Sequence, residues 1–185
     1  MLDSDRESHR RDRVDHRKHE RTLSVALEVF PAERLVAISR SMEARAIAKS
    51  LGAHALEETD DSDLNVALTT ASQFADDAGA EGILSLSCDL PLLAADDLRA
   101  MLHNASNGGV AIARDRVRVG TNAMLVAPAG LIPYRFGRES FAAHDKDANE
   151  TGKLVTIVDR PGLAFDIDTS VDFENWRAQL TSLVD

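Results

Sequence analysis

Apolar residues recur along this chain in two rhythms. Spacing of three and four runs through Leu23, Ala26, Leu27 and Phe30, which predicts a helix over Thr22–Phe30 stopped by Pro31. Arg34–Ser39 is a short buried strand. Met42–Leu51 follows as a helix and ends at Gly52, a common residue in the turn after a helix. Ala53–Leu56 reads as a second strand. Asp60, Asp61, Ser62 and Asp63 then offer several helix N-caps. Leu64, Ala67, Leu68, Ala71, Phe74, Ala75 and Ala78 repeat at helical spacing and predict an amphipathic helix ending near Gly79. Ile83, Leu84 and Leu86 form a compact apolar run, the pattern of a strand buried in a parallel sheet. Pro91 ends that ladder, because it has no amide hydrogen to give.

In the second half, Asp96 opens a helix carrying Leu98, Met101 and Leu102. Asn107-Gly108-Gly109 is a turn. Val110–Ala113 and Ala123–Val126 read as strands, joined through the charged stretch Arg114–Arg118. Ser140–Glu150 reads as a helix stopped by Gly152, and Leu154–Val158 and Leu163–Ile167 as strands. Phe173, Trp176, Leu180 and Leu183 define a C-terminal helix. Alternating strands and helices predict an α/β fold with a mostly parallel sheet covered on both faces. The closer-spaced strands of the second half predict mixed pairing there. Residues 1–21 carry almost no apolar side chain and are expected to be a charged leader, either disordered or a solvated helix. Residues 22–185 are expected to form a single domain.

Charge changes the picture next. The 185 residues carry a net charge of −10. The leader holds seven basic and six acidic residues, leaving 14 basic against 25 acidic in the body. So acidic a body is a poor match for the phosphates of a long nucleic acid. It can still take a small anionic substrate if a cation supplies positive charge. The lone cysteine, Cys88, excludes an internal disulfide and suits a reducing cytoplasm. No apolar run approaches the length of a membrane span. His9, His16 and His19 stand among Arg and Asp and read as surface histidines.

Three constellations could carry chemistry. Asp89 lies just past the strand ending near Leu86, where ligands bind in open α/β sheets. Asp166-Ile167-Asp168 alternates, so on an extended chain both carboxylates face one side and Ile167 the core. Adjacent carboxylates repel one another unless a cation sits between them. Together the three acids would make an oxygen-rich site for Mg²⁺. The competing reading is local: Asp89 caps a turn, Asp166 is a surface residue and Asp168 caps the last helix. The second constellation is Phe136-Gly137-Arg138-Glu139-Ser140-Phe141-Ala142-Ala143-His144. Gly137 lets backbone approach a ligand, and Ser140 opens a helix whose amides favour an anion. The plain alternative is N-capping by Ser140 with His144 on the surface. The third, Gly120-Thr121-Asn122-Ala123, places two hydrogen-bonding side chains at a strand start, or is a simple turn.

Taken together, Ser-Cys-Asp-Leu-Pro-Leu-Leu, Gly-Thr-Asn-Ala-Met-Leu, Phe-Gly-Arg-Glu-Ser-Phe-Ala-Ala-His and Phe-Asp-Ile-Asp-Thr resemble the phospholactate guanylyltransferase family of coenzyme F-420 biosynthesis, over roughly residues 34–175. The resemblance implies a nucleotide-diphospho-sugar transferase-like, Rossmann-like α/β fold. It implies transfer of GMP from GTP to a three-carbon phospho-acid (2-phospho-L-lactate, phosphoenolpyruvate or 3-phospho-D-glycerate) with release of pyrophosphate. Asp89, Asp166 and Asp168 would then be catalytic and hold Mg²⁺. Thr121, Gly137 and Ser140 would bind the phospho-acid, and Leu64 and Asn65 would lie near the nucleotide. The expected setting is cytoplasmic, as a monomer or homodimer. The family's opening buried strand and its Lys-Ser-Arg-Leu-like phosphate loop are not found here, so the sheet is expected to lack a first strand. Two alternatives stay open: a related nucleotidyltransferase of the molybdenum-cofactor or sugar-phosphate type, and a truncated non-catalytic homologue.

Overall fold

The computed structural model describes residues 19–59, 63–105 and 107–167. Helix α1 covers 19–27 and is followed by a turn to Pro31. A 3-10 turn, Ala32–Arg34, precedes β1, Val36–Ser39, so the strand expected from Arg34 starts two residues later. Then come α2 (Met42–Ser50), β2 (His54–Glu57), α3 (Leu64–Asp77), β3 (Ile83–Leu86) and α4 (Ala95–Asn104). The chain continues through β4 (Gly109–Arg114), β5 (Thr121–Ala127), α5 (Ser140–Glu150), β6 (Val155–Ile157) and α6 (Pro161–Ala164).

The described strands form two sheets. β1 and β2 pair in parallel, joined through α2. The larger sheet has the order β3-β5-β4-β6, with β5 antiparallel to both β3 and β4, and β6 parallel to β4. The mixed pairing expected of the second half is therefore present. Among the described residues β1 and β3 do not pair, and α3 packs against both.

β4 and β5 show why the larger sheet forms. Successive side chains of a strand point to opposite faces. Ala111 and Ala113 on β4, with Ala123 and Leu125 on β5, meet Leu98 and Met101 of α4, Val25 and Ala26 of α1 and Leu163 of α6. Small alanines on that face let the helices approach closely. Val110 and Ile112, with Met124 and Val126, pack on Ala148 of α5 and on Ile132. Leu98, Met101, Ile112, Met124 and Leu163 are fully buried. Side chains of that size contribute about 1.5–3 kcal/mol each when removed from water. Helices thus cover both faces, as the apolar runs predict.

One predicted strand is wrong. Leu163–Ile167 does not join a sheet: Pro161 begins the short helix α6, which runs to Ala164. Proline suits a first helical position, because its φ is already helical and its missing amide hydrogen is not needed there. The helix is held from outside. Arg160 Nε donates to Asp97 Oδ1 at 2.8 Å, and Asn122 Nδ2 donates to the Leu163 carbonyl at 3.0 Å. A Cβ on Gly162 would collide with the Asp97 carboxylate, so this junction requires glycine. Phe165–Ile167 then runs outside the sheet with Phe165 and Ile167 buried. The period of two was real, but it does not distinguish a strand within a sheet from an extended segment outside one. The predicted C-terminal helix, and most of the leader, lie outside the described residues.

Candidate active site

One end of the larger sheet gathers the polar residues. β3 and β5 are antiparallel with Leu86 opposite Ala123, so the end of β3 meets the start of β5. The Ser87 amide continues this pairing by donating to the Asn122 carbonyl at 2.9 Å. The loop carrying Asp89 is therefore beside Thr121 and Asn122. It is fastened from several directions. Thr22 Oγ1 donates to the Cys88 carbonyl at 3.2 Å. Arg21 Nε donates to the Pro91 carbonyl at 3.0 Å, and its Nη2 to the Leu93 carbonyl at 3.1 Å. The carboxylate itself accepts a hydrogen bond of 2.6 Å from Ser87 Oγ on Oδ1.

Asp166 reaches the same place. The Ile167 amide donates to the Asp89 carbonyl at 3.1 Å, so the segment carrying Asp166 lies alongside Asp89. Asp166 is half-buried between the buried Phe165 and Ile167. Asp168 lies outside the described residues. Asp89 and Asp166 supply hard oxygen donors from two adjoining segments, a donor type that suits Mg²⁺ or another hard divalent cation.

The second cluster is built around Thr121. Its amide donates to Ser140 Oγ at 2.9 Å, and its Oγ1 lies 3.0 Å from His144 Nδ1. The Arg135 amide donates to His144 Nε2 at 2.8 Å. Ser140 does not cap α5, because Glu139 occupies the capping position at φ +58° and Ser140 turns back to β5 instead. His144, in the plain reading a surface residue, has no solvent exposure. Burial lowers its pKa from 6.5 to about 4, nearby Asp147 opposing and Arg135 reinforcing that shift. Its imidazole is therefore neutral at physiological pH.

Gly137 lies next to this cluster with φ +126°, a backbone conformation that side chains rarely adopt. Open space surrounds the position where a Cβ would be. The preceding residues are locked. Phe136 N–H donates to Asn65 Oδ1 at 2.6 Å, and Asn65 Nδ2 donates to the Phe136 carbonyl at 3.0 Å. Tyr134 reaches Ser85 through their hydroxyls at 3.0 Å. Thr121, Gly137 and Ser140 are thus brought together. Leu64 and Asn65 open α3, where Leu64 is half-exposed and the Asn65 amide is spent on Phe136. The Asn65 clamp and the Arg21 strap were not read from the chain. Each joins segments far apart in sequence, and only the polar character of the residue hinted at either.

The fold is an α/β arrangement like that of nucleotide-diphospho-sugar transferases. A putative nucleotide-diphospho-sugar transferase from Desulfovibrio desulfuricans G20 shares the fold with a TM-score of 0.61 at 15% identity, over 76% of this chain and 63% of that one. Residues 16–176 match the family described as "Guanylyl transferase CofC like", and the chain belongs to that family. It is similar to the phosphoenolpyruvate guanylyltransferase of Rubrobacter xylanophilus, with 35% identity over 85% of this chain and 80% of that protein. The 2-phospho-L-lactate guanylyltransferase of Methanothermobacter thermautotrophicus is 34% identical over 76% of this chain and 61% of that protein. No described helix is long and apolar enough to cross a membrane.

Proposed function

We propose that this chain transfers GMP from GTP to the phosphate of a three-carbon phospho-acid and releases pyrophosphate, as a step of coenzyme F-420 biosynthesis in the cytoplasm. The observation that carries the reading is the convergence, at one sheet end, of the paired Asp89 and Asp166 segments with the Thr121, Gly137 and Ser140 cluster. The first would serve the nucleotide phosphates and the second the phospho-acid. Phosphoenolpyruvate is the first acid to test, because the similar protein of Rubrobacter xylanophilus bears that substrate in its name.

The chemistry asks little of covalent catalysis. A phosphate oxygen of the acid attacks the α-phosphorus of GTP. The new phosphorus–oxygen bond forms as the bond to the β-phosphate bridge breaks, and pyrophosphate leaves with the electron pair. A phosphomonoester is mostly dianionic at neutral pH, so no side chain need remove a proton. What remains is to align the two reactants and offset their like charges. Mg²⁺ held by Asp89, Asp166 and Asp168 would supply charge neutralisation at the phosphates. Thr121, Ser140 and the backbone at Gly137 orient the acid, and Ser87 fixes the rotamer of Asp89 through the 2.6 Å hydrogen bond.

Among the described residues β1 and β3 do not pair with each other, which favours one second reading, a homologue that binds the acid without transferring to it. The deciding experiment is pyrophosphate release from GTP and Mg²⁺ with phosphoenolpyruvate, 2-phospho-L-lactate and 3-phospho-D-glycerate in turn, with ATP as the control nucleotide. Release with one acid and GTP only is the expected result. No release with any acid, together with retained acid binding, would establish the second reading instead.

A further inference from the structure

His144 is buried inside the helix that begins at Ser140, and the proposed reaction assigns it no role. We propose that His144 is a positioning residue that sets the hydrogen-bond polarity of the phospho-acid cluster, turning the Thr121 hydroxyl hydrogen away from itself and biasing Thr121 to donate toward its ligand. The inference rests on the phospho-acid reading of Thr121 and deepens it.

The argument begins with the Arg135 amide. A backbone N–H can only donate, and it points at His144 Nε2 from 2.8 Å. Nε2 must therefore be the unprotonated nitrogen of a neutral ring. The ring hydrogen then sits on Nδ1, where the partner is Thr121 Oγ1 at 3.0 Å. Nδ1–H donates, and the threonine oxygen accepts. Thr121 keeps one hydroxyl hydrogen, which cannot point back at His144 and is directed elsewhere as a donor. Ser140 is set the same way: its Oγ accepts from the Thr121 amide at 2.9 Å, leaving its own hydrogen to give. Two adjacent hydroxyls are thus biased to donate. Such a pair suits ionised phosphate or carboxylate oxygens, which only accept, and disfavours a ligand that presents a hydroxyl hydrogen. Phe136 packs edge-on against the imidazole, with ring centroids 4.9 Å apart, and holds the ring plane that this chain of bonds requires.

Two substitutions separate orientation from structure. His144→Gln places an amide oxygen near the former Nε2, keeping a partner for Arg135 but losing the donor to Thr121. His144→Asn places a donor near the former Nδ1. With GTP saturating, His144→Gln is expected to raise KM for the phospho-acid about tenfold while kcat changes less than about twofold, the scale of one misdirected hydrogen bond. His144→Asn is expected to recover KM to within about threefold of the unsubstituted chain. Equal KM values for His144→Gln and the unsubstituted chain would overturn the proposal, as would Asn failing to improve on Gln. If either variant fails to fold, nitrogen-15 spectra of His144 in the unsubstituted full chain decide. A protonated Nδ1 at neutral pH supports the assignment, and a protonated Nε2 overturns it. An unsubstituted chain that binds none of the three acids by calorimetry would instead remove the phospho-acid reading, and the positioning role with it.

Discussion

The two sheets among the described residues are built from the same kinds of residue and end up in different environments. β4 is buried from Gly109 to Ala113 and β5 from Thr121 to Val126. In β1 and β2 every residue keeps some exposure. The difference follows from neighbours. β4 lies between β5 and β6, and β5 between β3 and β4, so both hydrogen-bonding edges of each are filled within the sheet. β1 and β2 each have one paired edge within their sheet. A strand's apolar content therefore does not determine its burial; its place in the strand order does. The candidate site is rooted in the better-buried sheet, and α3 and Asn65 connect the smaller sheet to it.

The sharpest test of this contrast is a matched pair of truncations. Ile112→Ala in β4 should cost about 2–5 kcal/mol, since it leaves a cavity in a fully buried site. Ile38→Ala in half-buried β1 should cost roughly half as much or less. Denaturant unfolding measures both, and equal losses would break the comparison. Next in size is Asp89→Ala, which should lower kcat about 10²-fold or more with little change in the unfolding midpoint. Normal turnover by that variant would remove Asp89 from the reaction.

The third effect is a pH dependence centred on the larger sheet's helix α5. The His144 pKa is lowered from 6.5 to about 4, chiefly by burial. Between those values the unfolded chain binds more protons than the folded one. This contribution to stability is whole above pH 6.5 and is lost as pH falls toward 4, by at most about 1.4 kcal/mol per pH unit. Thermal melts of the unsubstituted chain and His144→Asn across that window should converge as the pH falls, and parallel curves would exclude His144 as the source. The smallest expected effect is Asn65→Ala. It removes two hydrogen bonds to Phe136 and should cost about 1 kcal/mol and a severalfold rise in KM for the acid. An unchanged KM would mean that the smaller sheet does not help to shape the acid site.

Much of the fold was legible in the chain because its signals are local. The helix at Ser140–Glu150 has the predicted bounds, and α3 ends within two residues of expectation. Asp63 caps α3 as one of the candidates in the preceding acidic run, accepting from the Asn65 amide at 3.3 Å. The misread strand at Leu163–Ile167 failed for a non-local reason. Its helical first half depends on Asp97 and Asn122, which nothing in the segment itself announces. The same limit applies to the site. Residue types singled out Asp89, Thr121 and Gly137, which the fold brings to one end of the larger sheet, whereas the burial of His144 and its contact with Thr121 depend on how α5 lies across β5. The split between β1 and β3 is likewise a matter of strand order, which periodicity does not carry.

The bond from the Ile167 amide to the Asp89 carbonyl has a consequence for mutagenesis. It joins the two acidic segments through main-chain atoms alone, so replacing either side chain leaves it in place. Alanine scanning would pass over this contact. Deleting it requires removing the hydrogen itself, by a proline at position 167 or an ester in place of that peptide bond. This one link between the segments is thus shielded from ordinary side-chain variation at its own residues, while the identity of their acids is not.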